Sequence, residues 1–210
     1  MNPIAYLYVI DSMADWETGY LIAELNSGRY CREDTARYIV KTVGLTKKTV
    51  VTMGGIQIVP DILIQELTAE KAGLLILPGG NTWLEKMHIP LLEKVKEFMD
   101  AGVYVGAICG ATIALAQAGF LNNRYHTSND LHYLKAVCPE YSGEQFYLQE
   151  PAVTDGKLIT ASGIAPLEFT YQVLKNLDIF LPKTLEFWYK LYLTREARYF
   201  YSLMESMKPI

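Results

Sequence analysis

The sequence predicts a single α/β domain built on a mostly parallel sheet that is covered on both faces. Two observations carry this. Short, almost wholly apolar runs alternate with longer amphipathic ones, the pattern of buried strands joined by helices. At 210 residues, half of them hydrophobic and a fifth charged, the chain is the size and composition of one globular domain with a substantial core.

In chain order, residues 4–10 form an apolar run that ends at Asp11. With no basic segment before it, the run reads as a first strand and not as a secretion signal. Residues 16–25 read as a helix and 38–43 as a second strand. Residues 49–53 and 56–59 flank Gly54-Gly55 and read as a hairpin. Residues 74–77 form a short buried strand that ends at Pro78-Gly79-Gly80, and 91–99 have helical spacing. Residues 101–123 carry no charge, and Gly102, Gly106 and Gly110 lie four apart. A hydropathy window alone would read a membrane helix there. The stretch changes character in the middle, however. Val103, Tyr104, Val105 and Ile108 favour a strand, whereas Ala111, Ala114, Leu115, Ala116 and Ala118 favour a helix. A buried strand, a turn and a buried helix fit that switch better. Residues 130–137 read as a helix. Residues 145–148, 152–153 and 158–160 read as strands about the turn Asp155-Gly156. Residues 166–177 form a helix with Pro166 in its first turn. The aromatic, charged tail, 182–207, is expected to be one added helix. Leu185, Trp188, Tyr189 and Tyr192 would form its stripe, covering either its own sheet or, preferentially, a second subunit.

The chemistry is concentrated in Gly106-Ala107-Ile108-Cys109-Gly110-Ala111-Thr112. A nucleophile on a sharp strand-to-helix turn needs small neighbours because the chains crowd there. Ala107 and Ala111 lie two residues to either side of Cys109, and Gly110 follows it directly. At a helix N-terminus the unpaired N–H groups would lower the thiol pKa. Taken alone, the pattern also suits a buried, inert cysteine. Gly79 and Gly80, at the carboxyl end of a neighbouring strand, could turn backbone N–H groups toward the sulfur and, with Gly110, form an oxyanion hole; an ordinary turn is the plain alternative. Glu17, just past the first strand, lies at the same sheet edge. It could be a carboxyl with raised pKa beside the thiol, or simply a solvated acid in a first helical turn.

These segments, in this order, resemble the ThiJ/PfpI superfamily, whose fold is related to class I glutamine amidotransferases. The likeness runs from Ile4 to about Leu177 and rests most on Ala107-Ile108-Cys109-Gly110 preceded by Leu77-Pro78-Gly79-Gly80. Asp15-Trp16-Glu17-Thr18, the segment from Asn122 to Ser128, and that from Asp155 to Gly163 add to it. The resemblance implies a flavodoxin-like sandwich over residues 1–180, with 181–210 as a helical extension of the same domain, and usually a homodimer. It further implies Cys109 as nucleophile or oxidation sensor, with Glu17 as its partner. His126 lies near where some members carry a histidine and is a candidate base. The chain departs from the family in two places: Gly110 stands where many peptidase members have a histidine, and Ala165 stands before Pro166 where amidotransferases have one.

The expected activity is therefore that of a cysteine-dependent hydrolase, or a glyoxalase- or deglycase-like enzyme, on a small carbonyl or amide substrate. A redox sensor working through the same cysteine is the alternative, and a glutamine amidotransferase a distant third. No cofactor and no metal are expected, since no His/Cys/Asp cluster has ligand spacing. Nineteen basic against twenty-three acidic residues, net −4, argue against nucleic acid or an anionic membrane as partner. Three cysteines without framework spacing suit a reducing cytoplasm.

Overall fold

The structure is a computed structural model that describes residues 2–207. Met1 and the last three positions of the expected extension lie outside the described residues. The elements are β1 (Ile4–Tyr8), α1 (Asp15–Ser27), β2 (Ile39–Gly44), β3 (Val50–Val51), β4 (Gln57–Ile58), β5 (Ile62–Leu63), β6 (Ala72–Leu77), α2 (Ile89–Asp100), β7 (Tyr104–Ile108), α3 (Gly110–Gln117), α4 (Leu131–Val137), β8 (Ala152–Asp155), β9 (Leu158–Ala161), α5 (Pro166–Leu177), α6 (Pro182–Thr194) and α7 (Ala197–Ser206).

The main sheet has the order β5-β2-β1-β6-β7-β9-β8. Every pairing in it is parallel except β8 with β9, an antiparallel hairpin at one edge. Leu74, Leu75, Ile76 and Leu77 of β6 are all inaccessible to solvent. Successive strand residues point to opposite faces, so both faces of the sheet are covered at its centre. From β1 the chain winds outward through β2 to β5, then returns to β6 beside β1 and winds the other way to β7. The carboxyl ends of β1, β6 and β7 therefore meet at the point where strand order reverses, which is where ligands bind in open α/β sheets.

Proline stands in the first turn of α2, α5 and α6, where its missing N–H costs nothing. Asp130 caps α4 by accepting the Tyr133 N–H. The Gly54-Gly55 hairpin forms as β3 and β4.

The expected strand at 145–148 is instead a 3-10 turn, Glu144–Phe146, followed by a single bridge between Tyr147 and His126. Only the Leu148 and His126 N–H groups reach across, to the His126 and Phe146 carbonyls, too few for a ladder.

The tail is two helices, not one. Arg195 adopts a left-handed conformation, φ 62°, and α7 folds back along α6. Thr184 Oγ1 at the start of α6 lies 2.9 Å from Ser206 Oγ at the end of α7. The aromatic stripe covers its own chain: Trp188 is fully buried, and its indole N–H donates to Glu24 Oε1 of α1 at 3.0 Å. Leu185 and Leu203 are buried with it. Glu24 is compensated by Arg29, whose Nε reaches Oε2 at 2.9 Å.

Candidate active site

Cys109 follows the last residue of β7 and stands at the N-cap of α3, with φ 59° and ψ −124°. A side chain in that region costs about 1–3 kcal/mol and persists only where its surroundings enforce it. Here the Cys109 N–H donates to the Ala161 carbonyl of β9 at 3.0 Å. The Cys109 carbonyl accepts from the Thr112 N–H at 3.1 Å and from Thr112 Oγ1 at 2.6 Å. The elbow also needs the glycine after it, since a Cβ on Gly110 would lie 3.0 Å from both the Gly80 carbonyl oxygen and the Trp83 ring.

Glu17, in the first turn of α1, is completely buried and so is not a solvated acid. Its Oε2 accepts the Gly79 N–H, which follows β6. Its Oε1 has no formed hydrogen bond, and the Cys109 thiol is close enough to pull the carboxyl pKa down. Burial outweighs both influences and pushes Glu17 up to about 7, so the group is poised to give or take a proton near neutrality. Two glycines keep the pair in contact. A Cβ on Gly79 would lie 2.6 Å from Glu17 Oε1 and 2.8 Å from Cys109 Cβ, and one on Gly163 would lie 2.7 Å from the sulfur.

Three expectations need correction. Gly79 cannot donate to an oxyanion, because Glu17 takes its N–H; Gly80 and Gly110 remain. Second, the Cys109 thiol pKa is raised, not lowered. Burial is the largest cause and the Glu17 charge adds to it, while the Asn129 amide and the Gly110 N–H pull the other way. Third, His126 does not serve the thiol. It is fully buried, with Nδ1 2.8 Å from the Arg124 carbonyl and Nε2 2.6 Å from the Tyr141 hydroxyl. Its pKa is lowered by burial, which makes it a neutral structural group. His88 is held likewise, between Tyr8 and Thr82. No imidazole stands before Pro166, where Ala165 caps α5. Among the described residues, no group of three or more His, Cys, Asp or Glu side chains could hold a metal.

Sequence reasoning missed Asn129, three residues beyond His126. Its Nδ2 donates to Cys109 Sγ at 3.3 Å, and its Oδ1 accepts the Gly163 N–H at 2.8 Å. Gly163 and Trp16 were missed as well; the Trp16 indole N–H donates to the Gly163 carbonyl at 3.1 Å.

A positive-φ cysteine elbow, a buried glutamate after the first strand and a Gly-Gly loop between them agree with the sequence profile of the DJ-1/PfpI family, which matches residues 4–176. The chain belongs to the DJ-1/PfpI family. It is 55% identical over 202 residues to the protein named uncharacterized protease YoaZ of Bacillus subtilis (strain 168), covering 96% of each chain. It is 36% identical over 182 residues to uncharacterized protease YdeA of the same organism, covering 87% of each. Among solved structures, the ThiJ/PfpI family protein from Bacillus anthracis superposes with a TM-score of 0.96 at 53% identity, over 100% of this chain and 99% of that one. A DJ-1 superfamily protein from Agrobacterium tumefaciens gives 0.80 at 31% identity, over 92% and 98%. The family profile ends within α5, yet the Bacillus anthracis structure matches the whole chain, so α6 and α7 are shared with a near relative. No helix among the described residues is long and apolar enough to cross a membrane.

Proposed function

We propose that this chain is a cysteine-dependent enzyme acting on a small carbonyl or amide compound, with Cys109 as nucleophile and Glu17 as its proton partner. The observation that carries this is the strained elbow, which holds a thiol against a fully buried carboxyl of pKa about 7. Strain of this kind persists where function requires it, and a group near neutrality suits general acid–base work. The sulfur attacks the carbonyl carbon as Glu17 takes the thiol proton, and the carbonyl electron pair moves onto oxygen. The N–H groups of Gly80 and Gly110 are the candidate donors for that oxygen, since Glu17 takes that of Gly79. With an amide, Glu17 returns the proton to the departing nitrogen and a thioester remains for water to cleave. With an aldehyde, the proton goes to oxygen and a hemithioacetal results. A groove of about 350 Å³ is lined in part by Asn129 and Ser162, and Asn129 links it to the sulfur. The protease names of the two Bacillus subtilis relatives agree with the amide branch. The three unpaired cysteines suit a cytoplasmic setting.

A second reading has its own support. The same half-buried thiol beside a carboxyl of pKa about 7 could accumulate as a sulfenic or sulfinic acid and act as a redox sensor. The test is consumption of methylglyoxal, small amides or esters, and peptides by the wild type and by Cys109→Ser. Turnover that disappears in Cys109→Ser supports the enzyme. No turnover, with clean oxidation of Cys109 by mild peroxide, sinks it in favour of the sensor.

We also propose that the working unit is a homodimer. The tail stripe no longer argues for it, because that stripe is spent within the chain. Exposed Trp16, Met53, Ile56 and Val59, on α1 and around the β3–β4 hairpin, form the apolar surface that would be covered.

A further inference from the structure

We propose that Asn129 is a catalytic residue: its side-chain amide is the fixed hydrogen-bond donor that stabilises the charge on the Cys109 sulfur as the thiol gives up its proton. The inference rests on the reading of Cys109 as nucleophile. Asn129 Nδ2 lies 3.3 Å from Cys109 Sγ, and it is the side-chain donor that the structure gives the sulfur. Which end of the amide faces the sulfur is fixed by its neighbours. Oδ1 is 2.8 Å from the Gly163 nitrogen, a donor, so it must be the acceptor end, and Nδ2 faces the sulfur. Gly163 is itself held from the other side by Trp16. The amide is thus anchored by backbone and is not free to rotate away.

An N–H aimed at a neutral thiol gains little, because sulfur is then a weak acceptor. The same N–H aimed at a thiolate makes a charge-assisted bond roughly twice as strong. The donor therefore favours ionisation at a sulfur whose burial and acidic neighbour both resist it. A carboxamide does not titrate. Where a histidine would add a third ionisation to the site, Asn129 leaves Glu17 and Cys109 as the two groups whose protonation governs reactivity. Asn129 is also exposed and lines the groove, so an incoming substrate meets it.

The test is the pH profile of Cys109 alkylation by iodoacetamide, followed by mass spectrometry of the Cys109 peptide, in wild type, Asn129→Ala and Asn129→Asp, with melting temperatures measured alongside. Asn129→Asp keeps an acceptor for the Gly163 N–H but loses the donor and adds a charge. In Asn129→Ala the thiolate inflection should rise by about half to one pH unit, and the neutral-pH rate should fall about three- to tenfold. Asn129→Asp should fall at least as far. Superimposable profiles for wild type and both variants would overturn the proposal. So would a slowed Asn129→Ala beside an unaltered Asn129→Asp, which would make Asn129 only a clamp on Gly163. If Asn129→Ala does not fold, the near-isosteric and uncharged Asn129→Leu decides in its place: a profile moved upward supports the donor role, and an unmoved one overturns it. If wild-type Cys109 resists alkylation at every pH, it is the nucleophile reading that has failed.

Discussion

Replacing Glu17 by glutamine should make the protein more stable at neutral and alkaline pH while leaving it unchanged in acid. The carboxyl is fully buried and its pKa is raised from 4.5 to about 7, chiefly by burial. Below the ordinary carboxyl range both folded and unfolded chains hold the proton, and Glu17 costs nothing. As pH rises the unfolded chain ionises first, while the buried group keeps its proton, so stability falls until pH passes the folded value. The full loss is about 3 kcal/mol, at 1.36 kcal/mol per pH unit of displacement. A glutamine at this position still offers an oxygen to the Gly79 N–H and never ionises. Urea unfolding of wild type and Glu17→Gln across roughly pH 4 to pH 8 gives the difference directly, because titrating groups away from Glu17 cancel and the Cys109 thiol, itself raised, stays protonated over this range. The gap should open from near zero to about 3 kcal/mol, or roughly 6–12 °C in melting temperature for a chain of this size. A gap that is constant with pH would refute the assignment of Glu17 as a buried carboxyl titrating near neutrality.

Limiting iodoacetamide near neutral pH should modify Cys109 before Cys31 and Cys138; peptide mapping that finds either of the others first would remove the elbow's reactivity. Gly163→Ala puts a methyl group 2.7 Å from Cys109 Sγ, so alkylation should slow by about tenfold or more as the loop shifts; a native rate would mean the strand end yields freely. Trp188→Ala should cost about 3–5 kcal/mol in denaturant unfolding, since it empties a fully buried site and leaves Glu24 short of a donor, and it should leave the subunit number unaltered. Met53→Asp with Ile56→Asp should instead yield a monomer by light scattering, and a dimer that survives both changes would move the interface elsewhere.

Much of the frame was legible because it follows from local rules. The consecutive apolar residues of β6, the small residues about Cys109 and the prolines opening helices each say what they form without help from distant chain. The corrections all depend on contacts between remote segments. Whether the Gly79 N–H is free depends on where the Glu17 side chain turns, 62 residues away. His126 and Asn129 are three residues apart, and either could serve a thiol by type; the bonds of that segment to Phe146, Leu148 and Thr160 decide which one faces the sulfur. The helix sum for Cys109 counted the favourable N-terminus but not the burial opposing it. The tail was read as one helix because neither glycine nor proline marks the bend at Arg195, which takes a left-handed conformation with φ 62° and lets α7 return along α6. The same return explains why an amphipathic stripe, with its core apparently complete, still found a partner within its own chain.

The placement of the tryptophans has an optical consequence. Of the three, Trp188 is shut in behind α1, far in sequence from the elbow, and Trp83 is buried against Gly110. Trp16 is 54% exposed, with its indole N–H fixed on the Gly163 carbonyl beside the thiol. A solvated indole emits to the red of a buried one, so in the single chain the long-wavelength edge of the intrinsic fluorescence belongs chiefly to Trp16, and the proposed dimer, which covers it, would move that edge to the blue. Covalent change at the sulfur, beside the Gly163 loop that Trp16 holds, carries its own dye-free signal, and a Trp16→Phe chain supplies the blank.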